Sequence, residues 1–229
     1  VQQVVEENRV AAFVIHGPPE HGQRMLTHRL THLKPEWETG QRFVVDAGSN
    51  GVGKSSRALW AQLKRKLQLP PSTTVEDLAT KVSRWWQTQD VVFIFHTIDY
   101  MPCHLLSAWI EEFWGPLVSM AHQAKPQAGR NTRLLLFLVD YAGEISHSDL
   151  VLARSPDDLR QAPRPLLLPA LKPFHEIELE YWIVAAAEVV PGGLEAADLV
   201  GEPIDGIPAL VYEKICEHSG FSFEGEIAP

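Results

Sequence analysis

Short apolar runs alternate along the chain with segments in which apolar residues recur every three or four positions. The runs are typical of strands, and they lie at residues 10–15, 43–47, 91–95 and 134–139. The run at 91–95 is apolar on both faces, which predicts a central strand. The segments between them predict amphipathic helices, such as the one that aligns Leu59, Leu63 and Leu67 on one face. This alternation favours an α/β fold in which a mostly parallel sheet is flanked by helices.

The second half of the chain has a less regular pattern. A long helix is predicted around residues 106–118, with a kink at Gly115-Pro116, and residues 143–173 predict an irregular, proline-rich excursion. Residues 174–179 predict a last strand, and the apolar segment 181–190 predicts a helix that Pro191 ends. We expect residues 1–190 to form one domain. Residues 191–229 would be a C-terminal extension with a short helix, packed on the same domain or leading to the next one.

The residues that follow the first predicted strand have the outline of a phosphate-binding loop. A working loop has a glycine, four residues and then Gly-Lys-Ser/Thr, so that Lys binds the outer phosphates and the hydroxyl binds magnesium. Gly17 and Gly22 hold this spacing, but Gln23 and Arg24 stand at the Lys and Ser/Thr positions. The sequence therefore predicts a degenerate loop, in which residues 18–20 (Pro-Pro-Glu) narrow or charge the crevice.

A second glycine-rich loop follows the second predicted strand. The residues Gly48-Ser-Asn-Gly-Val-Gly-Lys-Ser55 fit the phosphate-loop pattern in every fixed position, with Gly48 and Gly53 as its glycines. In one interpretation Lys54 binds the β- and γ-phosphates of a nucleotide and Ser55 binds magnesium. In the other, the segment is a strand-to-helix turn in which Lys54 is only solvated. Both interpretations remain open at this point.

Charge and composition narrow the range of partners. The 229 residues carry 20 Lys and Arg against 29 Asp and Glu, a formal charge of −9, which disfavours nucleic acid because phosphate backbones are repelled. Cys103 and Cys216 have no metal-ligand spacing, so reduced thiols of a cytoplasmic protein are expected. We find no signal peptide and no apolar run that could span a membrane. Because the chain begins with Val1, we expect an excised piece of a longer polypeptide.

Taken together, the motifs resemble those of STAND-class P-loop NTPases, and most closely the degenerate inactive STAND modules of bacterial conflict and signalling proteins. The resemblance spans about residues 10–190. It is carried by the segments His16-Gly-Pro-Pro-Glu-His-Gly-Gln-Arg-Met-Leu26, Val91-Val-Phe-Ile-Phe-His-Thr-Ile-Asp99, Phe113-Trp-Gly-Pro-Leu117 and Leu134-Leu-Leu-Phe-Leu-Val-Asp140, and by residues 166–182. It implies a P-loop NTPase fold of the ASCE/STAND type, in which the first-loop strand lies centrally, next to the strand at residues 134–139. The second loop would then lie towards an edge of the sheet.

The same resemblance shows which catalytic groups are missing. The strand at residues 91–95 is in the Walker B position, where an acidic residue should follow the apolar run, but His96 follows it. Asp99 and Asp140 also lie at strand ends, and we expect them to cap nearby backbone N–H groups. The changes at Gln23, Arg24 and His96 argue against an ordinary magnesium-dependent ATPase, so no catalytic residue and no metal site is predicted.

We therefore expect a non-catalytic regulatory, sensor or scaffolding module within a larger bacterial signalling or defence protein. Its partners would be flanking effector or effector-associated domains and other proteins, with no nucleic acid, no membrane and no cofactor. The alternative is an active ATP- or GTP-binding P-loop NTPase that uses magnesium, Lys54, Ser55 and either Asp99 or Asp140.

Overall fold

A computed structural model describes residues 1–32, 40–124, 130–160, 164–186 and 192–220 of the chain. Five parallel strands form one sheet in the order β2-β3-β4-β1-β5. The strands are β1 (Val10–Ile15), β2 (Gln41–Asp46), β3 (Val91–His96), β4 (Leu134–Val139) and β5 (Leu166–Leu167). β1 pairs in register with β4, Val10 opposite Leu134 and Ile15 opposite Val139, so the predicted neighbours are confirmed.

Helices cover both faces of this sheet. They are α1 (Gln2–Glu7), α2 (Gln23–Thr31), α3 (Ser56–Lys66), α4 (Val75–Trp86), α5 (Cys103–Trp109), α6 (Gly115–Gln123), α7 (Glu176–Ala185), α8 (Ala196–Val200) and α9 (Pro208–Ser219). Alternate residues of β3 point to opposite layers: Phe93 and Phe95 pack in the cluster with α3–α6, and Ile94 packs in the cluster with α1 and α2. Both faces are therefore buried, as the continuous apolar runs predicted.

The predicted helices of the first half are largely confirmed. α4 begins at a capping box, in which Thr74 accepts a hydrogen bond from the Asp77 backbone N–H at 3.1 Å. The spacing of Leu26, Leu30 and Leu33 predicts a helix after the first strand; Leu26 and Leu30 lie in α2, and Leu33 lies outside the described residues. The long helix predicted around residues 106–118 is irregular just before Gly115-Pro116 rather than at it, because a π-helical turn over Ile110–Trp114 separates α5 from α6.

The prediction of a last strand at residues 174–179 is wrong. These residues enter α7, whose first turn is fixed by the Glu178 carboxylate accepting the His175 backbone N–H at 2.9 Å. The strand that completes the sheet is β5, inside the excursion predicted to be irregular; its two residues pair with Phe13 and Val14 of β1. Two residues are too few to produce a recognisable pattern in the sequence.

A third group of apolar residues lies after the sheet. Leu179 of α7 packs with Leu199 of α8 and with Val211 and Ile215 of α9. The division of the chain after residue 190 stays a prediction, and this cluster contains residues from both sides of it. No helix in the described parts of the chain has the length and apolar character that crossing a membrane requires.

Candidate functional site

In a parallel α/β sheet, ligands bind beyond the carboxyl ends of the strands. Here that edge carries His16 after β1, Asp46 and His96 at the ends of β2 and β3, and Asp140 after β4. We call residues 17–22 the first loop and residues 48–55 the second loop. Because β1 is an inner strand and β2 is an edge strand, the first loop lies within the sheet's crevice and the second loop lies at the sheet's edge, as predicted.

The first loop is closed by the side chain that replaces the phosphate-binding lysine. Gln23 is buried, and its amide nitrogen donates hydrogen bonds to the backbone carbonyls of Gly17, at 2.9 Å, and Pro18, at 2.7 Å. A phosphate site needs backbone N–H groups turned inwards, but here carbonyl oxygens are turned towards Gln23. Pro18 and Pro19 have no N–H to offer. The loop therefore directs carbonyl oxygens at a side-chain donor of the protein, whereas an anion site directs N–H groups at a negatively charged ligand.

The residues between the two glycines were predicted to narrow or charge the crevice. Pro18, Pro19 and Glu20 are exposed on the loop, and this role stays a prediction. The inside of the loop is filled by the Gln23 side chain, and another segment of the chain passes over it. Sequence spacing identified Gln23 as a departure from the phosphate-loop pattern, but it did not show that the amide would bind the loop's own carbonyls.

That covering segment is residues 168–171, which follow β5. The Leu171 backbone N–H donates to the His16 carbonyl at 2.9 Å, and a hydrogen bond of 2.9 Å joins His16 Nε2 to the Leu168 carbonyl. A Cβ atom on Gly17 would lie only 3.0 Å from the Leu171 Cβ and 3.1 Å from the Leu171 backbone N and O, so a larger residue here would require Leu171 to shift. The start of β1's loop is thus packed under another part of the chain.

The C-terminal helices hold the other end of the first loop. The Ala209 backbone N–H, in the first turn of α9, donates to the Glu20 carbonyl at 3.0 Å. Gly22 has a φ of 82°, and a Cβ atom there would meet the Pro208 Cβ at 3.0 Å. A mainly apolar cavity of about 470 Å³ remains beside this contact, lined by residues that include Met25, Leu171, Phe174, Pro208 and Tyr212. The first loop therefore connects the sheet to the C-terminal helices.

A polar cluster lies where a metal-binding acid would be expected. His96 Nδ1 and the Tyr141 hydroxyl form a hydrogen bond of 2.8 Å. Burial, reinforced by the charge of Arg24, lowers the pKa of His96, although Asp46 opposes this effect. Burial also raises the pKa of Tyr141 to about 12. Both groups are therefore neutral near pH 7, and the cluster offers no carboxylate in the Walker B position.

The two acidic residues at strand ends have structural partners. Asp140 is fully buried and accepts hydrogen bonds from the backbone N–H groups of Ala142, Gly143 and Ile145, at 3.0, 2.8 and 2.7 Å. Asp99 accepts one from the Tyr141 N–H at 3.1 Å. This is the capping role that we predicted for both residues, and in Asp140 both carboxylate oxygens accept such hydrogen bonds.

The second loop does not form a cradle. Residues Ser49–Lys54 form a 3-10 helix, in which backbone N–H groups donate to carbonyls of the preceding turn and not to a ligand in front of the loop. Gly48 donates its N–H to Asp46 and Thr97, Gly53 donates to the Ala47 carbonyl, and Lys54 is exposed. The Ser55 hydroxyl accepts the Ala58 N–H at 3.0 Å as the cap of α3. These contacts are those of a strand-to-helix turn, and nucleotide binding by this loop remains only a prediction.

Histidine is frequent near the first loop, but each ring has a protein partner. His21 Nδ1 lies 2.8 Å from the Pro19 carbonyl, and His32 is placed between the His28 carbonyl and Arg42. Within the described residues, no three His, Cys, Asp or Glu side chains come together in a way that could hold a metal ion. Sequence reasoning assigned no role at this edge to Tyr141 or Thr97, although Thr97 directly follows β3 and Tyr141 is the second residue after β4, which is a usable signal for residues at this edge.

Comparison with known proteins agrees with this geometry. Residues 1–139 match the family model described as inactive STAND, or iSTAND. The comparison with curated proteins gives no match. Among solved structures, this chain is similar to Cdc6p from Pyrobaculum aerophilum, which has a P-loop NTPase fold. The two structures superpose with a TM-score of 0.56, and the sequences are 15% identical. The match covers 96% of this chain and 62% of Cdc6p, so the chain spans less than two thirds of that protein, and at this identity the likeness shows the fold alone. The chain has a P-loop NTPase type of α/β fold, and it belongs to the inactive STAND family.

Proposed function

We propose that this domain is a non-catalytic regulatory, sensor or scaffolding module of a larger bacterial signalling or defence protein, and that it acts through protein contacts. The observation that carries the proposal is the closure of the first loop by Gln23. A group that donates to the loop's carbonyls from inside occupies the place where phosphate oxygens would accept from its N–H groups. The Walker B strand ends in His96, so the metal-binding acid is replaced as well.

The connection between the first loop and the C-terminal helices supports a scaffolding role. In an active NTPase, the bound nucleotide would order this loop. Here the loop is ordered by Gln23, Leu171 and Ala209 instead. The domain would then hold one arrangement without nucleotide and present its outer surfaces to neighbouring domains.

The test is to measure ATP hydrolysis and thermal melting of the chain with Mg-ATP, Mg-GTP, adenosine or no ligand. A ligand at a hundred times its Kd stabilises the native state by about 2.7 kcal/mol, which raises the Tm of a chain of this size by roughly 5–11 °C. We expect no hydrolysis and no shift that depends on phosphate. An equal shift with adenosine and Mg-ATP would indicate binding in the cavity beside the loop and would leave the proposal standing.

Two variants separate the ways in which the proposal could fail. Hydrolysis that Lys54→Ala abolishes would show that the second loop is a working nucleotide site. Hydrolysis that persists in Lys54→Ala but disappears in Arg24→Ala would place the site at the first loop. In either case the domain would be an enzyme.

Cross-linking within the longer parent protein then tests contact with neighbouring domains, and a domain that contacts none of them would contradict the scaffolding role.

A further inference from the structure

The negative charge of the chain is concentrated in one region. Residues 174–220, which contain α7, α8 and α9, carry ten acidic side chains and one basic side chain, a formal charge of −9. Residues 1–173 carry 17 acidic and 19 basic side chains, a charge of +2. The C-terminal part of the sequence is therefore acidic and the rest is nearly neutral, so exposed carboxylates in the C-terminal part favour cationic partners.

Within this region, α7 exposes an apolar face to solvent. Ile177, Tyr181 and Val184 have exposed fractions of 65%, 75% and 76%. Their spacing of four and three residues places them on one side of the helix, and we call them the α7 stripe. Leu179 and Ile183 lie on the opposite side and pack against the third cluster. The stripe is therefore additional to the face that holds α7 in the fold.

Carboxylates border the stripe on both sides. If Ile177 and Val184 are assigned to heptad positions d and Tyr181 to position a, then Glu178 occupies position e and Glu180 position g. Both glutamates are exposed. This is the pattern of a helix that pairs with another helix through its apolar positions and selects the partner by charge at e and g. Acidic residues at e and g select a partner with basic residues there.

We propose that the α7 stripe binds a basic amphipathic helix of a partner protein, an inference that rests on the proposed function because it names the chemistry of the protein contact. An antiparallel second copy of α7 is a poor occupant, since it would oppose Glu178 to Glu178 and Glu180 to Glu180, and a parallel copy would offer the glutamates no basic partner. An anionic membrane surface would be repelled by the same carboxylates. A lysine- or arginine-rich helix with apolar a and d positions would cover the apolar stripe and would place basic side chains opposite Glu178 and Glu180.

The contact is small, so the interaction is expected to be weak. α7 has ten residues and is therefore about 15 Å long. A helix of this length buries less than the ~800 Å² per partner of a stable interface. The expected Kd is on the order of micromolar, with a clear dependence on salt.

The test uses a fluorescently labelled helical peptide of three heptads with Leu at a and d and Lys at e and g, added to the 229-residue chain. A matched peptide has Glu in place of Lys. Fluorescence anisotropy should show binding of the basic peptide that weakens with added salt, and no binding of the acidic peptide. No binding of either peptide would refute the inference. The proposed function would still stand in that case, because it is judged by ATP hydrolysis and by contact with neighbouring domains.

Variants decide whether the stripe is the binding site. Tyr181→Ser should weaken binding about tenfold or more, because exposed aromatic anchors dominate such contacts. Glu178→Gln and Glu180→Gln should each weaken it by about two- to fivefold and reduce its salt dependence. Glu213→Gln makes the same charge change on the exposed surface of α9 and should have little effect. Equal losses in Glu178→Gln and Glu213→Gln, with none in Tyr181→Ser, would mean unspecific attraction and would overturn the proposal.

Two other occupants are also distinguished. A chain that runs as a dimer in light scattering and becomes a monomer in Tyr181→Ser uses the stripe for self-association. Binding to phosphatidylcholine vesicles that Tyr181→Ser removes would identify a lipid surface as the occupant. Either result would overturn the inference. Since Tyr181 is exposed, Tyr181→Ser should melt at nearly the wild-type temperature, which excludes unfolding as the cause of lost binding.

Discussion

The buried amide of Gln23 offers the most direct test of the closed first loop. In Gln23→Met the side chain keeps a similar size and helix propensity but cannot donate a hydrogen bond. The Gly17 carbonyl then loses its donor in a buried position, and an unsatisfied buried acceptor costs about 1–3 kcal/mol. The Pro18 carbonyl is only partly buried and still accepts from the His21 N–H at 3.3 Å, so its loss is about 0.5–1.5 kcal/mol.

The expected total is therefore a decrease of roughly 1.5–4.5 kcal/mol in the free energy of unfolding. For a chain of this length, that corresponds to a fall in Tm of roughly 3–18 °C. Gln23→Glu should be more harmful at neutral pH, because a carboxylate oxygen would face the two carbonyls, and part of its loss should be recovered at acid pH when the carboxyl can donate. Urea denaturation measures both changes.

The control is Gln123→Met at the exposed end of α6, where the same chemical change should alter stability by less than about 0.5 kcal/mol. If Gln23→Met were as stable as this control, the Gln23 amide would not be holding the loop. The first loop would then have to be open, and the structural basis for excluding phosphate would be lost.

Three further predictions concern the edge of the sheet. Asp140→Ala removes the acceptor of three backbone N–H groups and should cost roughly 3–5 kcal/mol in urea denaturation, whereas Asp149→Ala at an exposed position should be nearly neutral. A smaller loss than about 1 kcal/mol would contradict the capping role. The lowered pKa of His96 means that the unfolded state binds more protons below pH ~6.5, so stability should fall as pH decreases through that value. His96→Gln should flatten this dependence in melting curves, and an unchanged slope would be evidence against a buried neutral imidazole. Lys54→Ala should leave the Tm within about 2 °C of the wild type, because its side chain is exposed; a large loss would reveal a contact that the fold does not contain.

Much of the fold could be predicted because its signals are local. β1 and β4 occupy the predicted residues, and α3 carries the predicted Leu59 and Leu63 on its buried face and ends one residue before Leu67. A strand buried on both faces must be apolar throughout, and a helix packed on one face must repeat every three or four residues, so these requirements are written in neighbouring residues. The exchange of Lys and Ser/Thr for Gln23 and Arg24 was likewise visible in the spacing alone.

Other features were decided by contacts between distant parts of the chain. Residues 174–179 alternate apolar and polar positions in part, which is compatible with a strand, but packing of Leu179 against α8 and α9 selects a helix. β5 has only two residues, too few to show a strand pattern in the sequence, and it is recognised as a strand because these residues pair with β1. Sequence alone left two glycine-rich loops as candidates, and only the strand order places one in the crevice and the other at the edge. The physical reason is that the spacing of apolar residues along the chain indicates which residues are buried but not which residues cover them. The covering residue, such as Leu171 over Gly17, depends on the path of the whole chain.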